Sequence, residues 1–423
     1  MIKSHSFDIK VADVALCGRA ALGAMEASTK SSEEKKEDNH KMKVQTSSTR
    51  SFTFLGSLVV AAVLCPAFQT PAAAQYVVTN LDSNGTNAIH KNDADLINAW
   101  GVAYFPGAPF WVSDEGTGKS TLYDGAGNKQ SLVVTIPPAS GTGHGSPTGM
   151  VANGTSDFVI TGGGGTGPAF FIFDTLDGTI SGWNGGMGTV QDAVIKVNRP
   201  GSVYTGLAMG FHNGANFLYA ADNGPNRRVD MFDGKFKFVK SFSDSTAPAG
   251  LAPYNIQNIN GYLYVTYGKF GVAGGLVDVF TTAGVKVGRF TMNSMLNAPW
   301  GLALAPPNFG PKSNALLVGN LGDGHINAFD YTTHAFLGQL KDTSGHTIAI
   351  NGLWALTFGG SSTADGQTNQ LFFSAGPNRY ADGLFGVIVF KRSRCTDEGN
   401  PCDRGTSVQP ASPSPLAGGE GGA

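Results

Sequence analysis

The segment Ala298-Pro299-Trp300-Gly301-Leu302-Ala303 leads through a small and an aromatic residue into a short apolar strand, and related segments recur along the chain. The six copies occupy residues 98–103, 146–151, 203–208, 252–257, 298–303 and 352–357. Their equivalent positions 101, 149, 206, 255, 301 and 355 are separated by 48, 57, 49, 46 and 54 residues. Such spacing is close to the roughly 40–50 residues of one β-propeller blade and predicts six blades.

Further strands are predicted after each copy. A second strand is expected at 110–113, 157–160, 217–220, 262–265, 315–318 and 370–373. A third is expected at 121–123, 171–173, 229–232, 277–280, 326–329 and 387–390. Turn dipeptides such as Asp124-Gly125 suit the hairpin that follows. A fourth strand follows five copies, for example at 238–242, and the Gly-rich stretch 162–167 is expected to join strands two and three of the second blade.

The sixth copy lacks a fourth strand, while an unassigned strand, 76–80, precedes the first copy. If this N-terminal strand completes the last blade, both ends of the domain close the ring and only short sheet edges remain exposed. The sequence therefore predicts an all-β, six-bladed propeller of four antiparallel strands per blade over residues 75–391.

Residues 1–74 are predicted to be a leader. Arg50 precedes a 13-residue apolar run, 52–64, and Ala72-Ala73-Ala74 ends just before Gln75. This arrangement, from about residue 42 to 74, is typical of a secretory signal peptide, and translation could begin at Met1 or Met42. A short membrane anchor is the alternative, although a spanning helix needs about 20 apolar residues. We expect a secreted or periplasmic protein without a stable membrane span after cleavage.

The C-terminal residues 392–423 are predicted to form a small cysteine loop and a disordered tail. Cys395 and Cys402 are the cysteines that would remain after cleavage, and whether they pair is left open. The tail that follows is rich in Pro, Ser, Gly and Ala, a composition that does not support a packed core.

Composition narrows the range of partners. Charged residues make up 14% of the chain and glycines number 59, which suits an all-β protein with many tight turns. The net charge of −2 gives no general attraction to nucleic acid, because such binding needs a basic surface. We expect a monomer whose partner is a small molecule, a glycan or a protein at the propeller face.

Several segments carry a family resemblance. Residues 220–229 resemble the signature of the NHL repeat, and 299–304 resemble its opening strand. Segments 76–81, 98–101, 177–183, 296–303 and 319–327 are similar to a family of exported bacterial six-bladed propellers without an established function. The resemblance covers roughly residues 76–390. It implies the propeller fold and export, and it supplies no catalytic residue. Members often end in a Pro-Glu-Pro sorting signal with a hydrophobic anchor, which this chain lacks.

Ligands of propellers usually lie at one mouth of the central channel, where the innermost strands begin. Aromatic walls with a few oriented polar groups make a reasonable small-molecule site. The predicted ligand-binding residues are Asn98, Trp100, Tyr254, Asn255, Trp300, Asn351 and Trp354. The alternative for the three repeated tryptophans is that they pack blade against blade, and this alternative is favoured.

A channel metal is a second possibility. Carboxylate and amide oxygens suit Ca²⁺ or another divalent cation, and the candidates are Asp114, Asp222, Asn223 and Asn320. Six-bladed lactonase-like propellers hold such a metal, but the Glu-Gly-Pro and Pro-Asp-Gly motifs that accompany it are absent here. The competing interpretation, that these side chains cap turns locally, is favoured.

Other chemistries lack their motifs. No cysteine lies between 75 and 394, no Gly-x-Ser-x-Gly elbow occurs, and the Gly-rich stretch lacks the lysine of a phosphate loop. The first hypothesis is therefore a secreted binding or scaffold propeller with its site at the channel mouth. The alternative is a metal-dependent enzyme of lactonase, hydrolase or lyase type.

Overall fold

A computed structural model describes residues 75–85, 87–187, 192–292 and 294–391. The predicted signal peptide and the two tail cysteines lie outside these ranges. No helix within them has the length and apolar character needed to cross a membrane.

The described residues form 26 β-strands, numbered in chain order, and six four-stranded sheets. The N-terminal strand is β1 (Gln75–Ser83). The first blade contains β2 (Ala99–Ala103), β3 (Phe110–Asp114), β4 (Lys119–Tyr123) and β5 (Val134–Thr135). The second contains β6 (Pro147–Ala152), β9 (Phe171–Thr175), β10 (Thr179–Trp183) and β11 (Val194–Asn198), with the inserted strands β7 (Val159–Gly162) and β8 (Gly165–Pro168).

The remaining blades follow the same plan. The third contains β12 (Tyr204–His212), β13 (Ala215–Asp222), β14 (Arg228–Asp233) and β15 (Phe238–Phe242). The fourth contains β16 (Ala252–Ile259), β17 (Tyr262–Lys269), β18 (Val272–Thr281) and β19 (Lys286–Thr291). The fifth contains β20 (Pro299–Leu304), β21 (Ala315–Asn320), β22 (Ile326–Asp330) and β23 (Phe336–Gln339). The sixth contains β24 (Leu353–Phe358), β25 (Gln370–Ala375) and β26 (Leu384–Lys391).

The predicted six-bladed all-β fold is confirmed, and the N-terminal strand completes the last blade. Strand β1 pairs antiparallel with β26, with Tyr76 opposite Phe390, and the sheet order is β1-β26-β25-β24. The Tyr76 hydroxyl donates a hydrogen bond of 3.0 Å to the carbonyl of Phe309, which belongs to the fifth blade. Each inner strand contacts the inner strand of the next blade, and β24 contacts β2, so the ring is closed.

The strand assignment within the second blade was wrong. Residues 157–160, predicted as its second strand, include β7, which pairs with β8 in a separate two-stranded sheet. The second strand is instead β9 and the third is β10. The Gly-rich stretch forms the tip and return of this inserted hairpin, because Gly163 and Gly164 adopt positive φ angles at the turn. The insertion explains the long spacing of 57 residues between positions 149 and 206.

The repeated glycine marks the place where neighbouring inner strands meet. Each inner strand carries a register shift at this point, which brings its backbone against the next blade. A Cβ on these glycines would lie less than 3.0 Å from the next blade, a distance that real Cβ atoms do not tolerate. The glycines and the atoms that a Cβ would meet are Gly101 and the Thr148 carbonyl, Gly149 and the Leu207 amide, Gly206 and the Asn255 side chain, and Gly301 and the Trp354 carbonyl.

We expect Gly149→Ala to destabilise the protein by about 1–3 kcal/mol, because the methyl group overpacks against backbone that cannot yield. Gly288, in the outer strand β19, has open space around its Cβ position and serves as the control. Gly288→Ala should leave the free energy of unfolding unchanged or raise it slightly. Urea unfolding measures both values, and equal effects of the two substitutions would contradict the close approach.

Candidate functional site

The six inner strands enclose a central channel with a volume of about 330 Å³. Its wall consists of residues from the middle and the end of each inner strand, namely 101–104, 149–152, 207–209, 255–258, 300, 302 and 355–357. Most of these side chains are small or aliphatic, and none of these lining residues carries a charge. The channel therefore offers a neutral environment.

Four aromatic rings fill the channel at the end where the inner strands begin, and we call this cluster the aromatic plug. It consists of Trp100, Tyr254, Trp300 and Trp354, all of them buried. Trp100 stacks on Trp354 with ring centroids 3.6 Å apart and planes inclined by 15°. Trp300 meets Trp354 edge to face at 5.8 Å, and Tyr254 does so at 6.1 Å. Because the rings come from blades one, four, five and six, they close this end of the channel.

Hydrogen bonds tie the plug to the blades around it. The Trp354 indole donates to the Asn98 amide oxygen at 2.9 Å, and the Trp300 indole donates to the Thr205 carbonyl at 2.8 Å. The Asn255 side-chain amide donates to the Trp300 carbonyl at 2.8 Å. The indole nitrogen of Trp100 is buried without a partner among the described residues. These bonds join blades that are distant in sequence and fix the rings in place.

The predicted ligand-binding residues thus divide into two groups. Six of the seven lie in the plug or bond to it, and of these Asn255 and Trp300 also line the channel. Asn351 is exposed on the turn before β24, and its side chain makes no hydrogen bond to any described residue. The tryptophans do pack blade against blade, as the alternative interpretation held. Whether the seven residues bind a ligand stays a prediction.

The other end of the channel is open and carries polar groups that the sequence analysis missed. Gln257 and Thr357 line the wall, are partly exposed, and have no side-chain hydrogen bond within the described part of the chain. Gln257 and Thr357 lie two residues after the equivalent positions 255 and 355 of the repeat. The other four copies carry Ala or Val there, at positions 103, 151, 208 and 303. This break in the apolar pattern was the signal that could have identified them.

Each of the four metal candidates makes a hydrogen bond within the protein. Asp114 accepts a hydrogen bond from the Thr121 hydroxyl at 2.8 Å. Asn320 donates to the Met295 carbonyl, also at 2.8 Å. The Asp114 carboxyl is buried, and its desolvation raises its pKa well above the usual range, which favours the neutral acid.

The other two candidates are adjacent in sequence and are also hydrogen-bonded within the protein. Asp222 accepts hydrogen bonds from the backbone amides of Val203 and Gly224 at 2.9 and 3.0 Å. Asn223 donates to the Pro253 carbonyl at 2.9 Å. Among the residues that the structure describes, no group of three or more His, Cys, Asp or Glu side chains could hold a metal. Of these contacts, the bond between the Gly224 amide and Asp222 is that of a turn cap, as the competing interpretation held. Whether the four residues hold a cation stays a prediction.

Charged side chains pair away from the channel, toward the outer strands. Arg289 in β19 contacts Asp278 in β18 at 2.9 Å, and Lys129 contacts Asp93 at 2.5 Å. None of these four residues lines the channel wall. The ion pairs tie strands and loops to one another, and the channel itself is left without charge.

Asp174 is a buried carboxyl that the sequence analysis did not single out. One of its oxygens accepts hydrogen bonds from the Thr148 hydroxyl at 2.7 Å and from the Gly149 amide at 2.6 Å. The Gly149 amide lies at the register shift in β6, where it has no partner in the neighbouring strand, and the Asp174 carboxyl supplies that partner. Its other oxygen is buried without a partner among the described residues. Burial raises the pKa of this carboxyl from 3.8 to about 7.

The raised pKa predicts a dependence of stability on pH. The folded state binds the Asp174 proton more strongly than the unfolded state does. The stability that this proton adds to the folded state is fully present below about pH 4 and is lost as the pH rises toward 7. We expect Asp174→Asn, which remains neutral, to raise the melting temperature relative to the natural protein more at pH 8 than at pH 5. Melting curves of both proteins at the two pH values test this, and an equal difference at both would contradict it.

Comparisons with known proteins give relatives from a virus. No family model matches the chain. It is 31% identical over 355 residues to an uncharacterised protein of Acanthamoeba polyphaga mimivirus, with 79% of this chain and 86% of that protein covered. A second uncharacterised protein of the same virus is 30% identical over 337 residues, with 75% of this chain and 87% of that protein covered.

Solved structures with a similar fold share little sequence. A streptogramin B lyase is 13% identical, with a TM-score of 0.45 and coverage of 75% of this chain and 97% of that chain. The PQQ-bound form of an aldose sugar dehydrogenase from Streptomyces coelicolor is also 13% identical, with a TM-score of 0.45 and coverage of 75% and 99%. Likeness of this degree carries no inference about chemistry.

Proposed function

The chain belongs to the same family as the two mimivirus proteins, and from this premise we propose that it is an exported binding protein that holds a small molecule in its central channel. The single observation that carries the proposal is the blind-ended cavity of about 330 Å³. Small-molecule sites are typically concave, largely preformed and about 300–1,000 Å³ in volume. The aromatic plug leaves one end for a ligand to enter.

Binding rather than catalysis is favoured by the residues of the wall. General acid–base catalysis needs a titratable group within hydrogen-bond reach of the substrate. The lining contains no Asp, Glu, His, Lys, Arg or Cys, and the hydroxyl of its tyrosine, Tyr104, donates to the Phe358 carbonyl at 2.7 Å. For the alternative of a metal-dependent enzyme, the described residues contain no group of three or more His, Cys, Asp or Glu side chains that could hold the metal.

Export is the second part of the proposal and rests on the leader sequence. The apolar run 52–64 and the alanines 72–74 lie outside the described residues. Cleavage after Ala74 would keep every residue of strand β1 that the structure describes, Gln75–Ser83. Mass spectrometry of the protein from the periplasm of a Gram-negative host should show an N-terminus at Gln75. Recovery only in the cytoplasm with an uncleaved leader would contradict export.

The channel site is tested by blocking the open end. A thermal-shift screen with sugars, polyols, amino acids and carboxylic acids should identify at least one compound that raises the melting temperature, since a ligand that binds only the folded state stabilises it. Gln257→Trp narrows the channel and should abolish the shift. Gln130→Trp serves as the control, because Gln130 follows the third strand of the first blade and does not line the channel. A shift that survives Gln257→Trp would place the ligand elsewhere.

A further inference from the structure

The channel wall also defines the chemical class of its ligand, an inference that rests on the proposed function. We propose that the channel binds an uncharged polyhydroxyl molecule, such as a neutral sugar. Three properties of the wall carry this inference. They are the absence of charge, the inner strand edges that face the cavity, and the two unpaired polar side chains above an aromatic floor.

The absence of charge excludes ionic ligands. A charged group that leaves water must be paired or hydrogen-bonded by the site, and otherwise its desolvation is very costly. The lining residues supply neither a cation nor an anion. The ion pairs of the protein lie outside the channel wall and cannot serve as counter-charges. A carboxylate or an ammonium group in the channel would therefore remain uncompensated.

The inner strand edges make the wall a dense source of hydrogen bonds. Each inner strand is the last member of its four-stranded sheet, so it is bonded to a neighbouring strand on one side only. Its free edge faces the channel and presents amide donors beside carbonyl acceptors. Near the plug, side chains of the protein occupy some of these carbonyls. The backbone carbonyl of Trp100 accepts a hydrogen bond from the Ser374 hydroxyl, and the backbone carbonyl of Trp300 accepts one from the Asn255 side-chain amide.

Toward the open end, polar side chains lie beside these strand edges. The Met209 carbonyl accepts from the Asn258 amide at 3.0 Å, whereas the Gln257 and Thr357 side chains have no bond to any described residue. An apolar ligand would cut these groups off from water and leave their hydrogen-bonding capacity unsatisfied, which is unfavourable for binding. A hydroxyl both donates and accepts, so it matches neighbouring amides and carbonyls alike. Several hydroxyls on one molecule satisfy such a wall best.

The size and the floor of the channel agree with this class. A cavity of about 330 Å³ has room for several water molecules, which a sugar could replace with equivalent hydroxyl groups. Trp300 belongs both to the plug and to the channel lining, so it lies where the plug meets the cavity. An aromatic ring suits the apolar face that a sugar ring presents between its hydroxyls.

The experiment compares neutral sugars with an anionic sugar, a cationic sugar and a mainly apolar ring. Isothermal titration of the full chain should show binding of at least one of the neutral sugars glucose, galactose and maltose. Glucuronate, glucosamine and cyclohexanol should bind at least tenfold more weakly than that sugar. Gln257→Leu should weaken the binding of the sugar about tenfold. Gln257→Glu should shift the preference toward glucosamine, because the new carboxylate supplies the missing counter-charge.

Gln130→Leu and Gln130→Glu are the matched controls and should change none of these affinities. Unchanged melting temperatures of the Gln257 variants without ligand would show that they remain folded. If glucuronate, glucosamine or cyclohexanol binds in the channel as tightly as the neutral sugars, the ligand class is overturned while the channel remains a binding site. If no neutral sugar binds but another compound does, and Gln257→Trp abolishes its binding, the proposed ligand class is overturned while the proposed channel site stands. If no compound binds in the channel, both proposals fail.

Discussion

The close approach of the six inner strands is the constraint on which the rest of the structure depends. Backbone meets backbone across adjacent blades at the repeated glycines, where a single methyl group would not fit. Where the fourth blade has Asn255 in place of glycine, its side-chain amide bonds to the next blade instead. Direct contact at this level sets the width of the ring. The channel is consequently narrow and is lined by backbone and small side chains.

The same narrow ring explains why one end of the channel is filled. The residue before each repeated glycine position faces the axis, and in four blades it is a tryptophan or a tyrosine. Four large rings cannot fit around so narrow an axis without touching, so they stack and meet edge to face. In the other two blades the equivalent residues, Thr148 and Thr205, are small and buried. The protein therefore has a closed and an open end, and the polar residues of the wall become accessible from the open end.

Much of the fold could be predicted from the sequence, because each copy of the repeat contains the apolar patterns of its strands and the spacing of the copies indicates the length of one blade. The sixfold count and the closure by β1 both follow from counting strands in copies that are nearly alike. The second blade could not be assigned in this way, since β7 has the pattern of an ordinary second strand. Its separation from the blade depends on pairing with β8, which a strand pattern does not reveal.

The site was harder to predict than the fold. Sequence reasoning found the residues at the start of the inner strands, but it could not show that their rings would fill that mouth. This outcome depends on contacts between blades that are far apart in sequence, as for Asn98 and Trp354, which are separated by 256 residues. Gln257 and Thr357 were visible as polar breaks in an apolar position, yet their importance follows only from the open end beside them. Asp174 was missed because its role is to bond an amide freed by a register shift.

Thiol labelling tests the two-ended channel most directly. With Cys17, Cys65, Cys395 and Cys402 replaced by Ser, the protein contains no cysteine, and single cysteines can then be placed at Gln257 or at Thr205. Thr205 is buried beside the plug, whereas Gln257 is partly exposed on the channel wall. Under native conditions a small thiol reagent should modify Gln257→Cys rapidly and Thr205→Cys only as the protein unfolds. Equal labelling rates at the two positions, in variants with the same melting temperature, would contradict a channel that is closed at one end and open at the other.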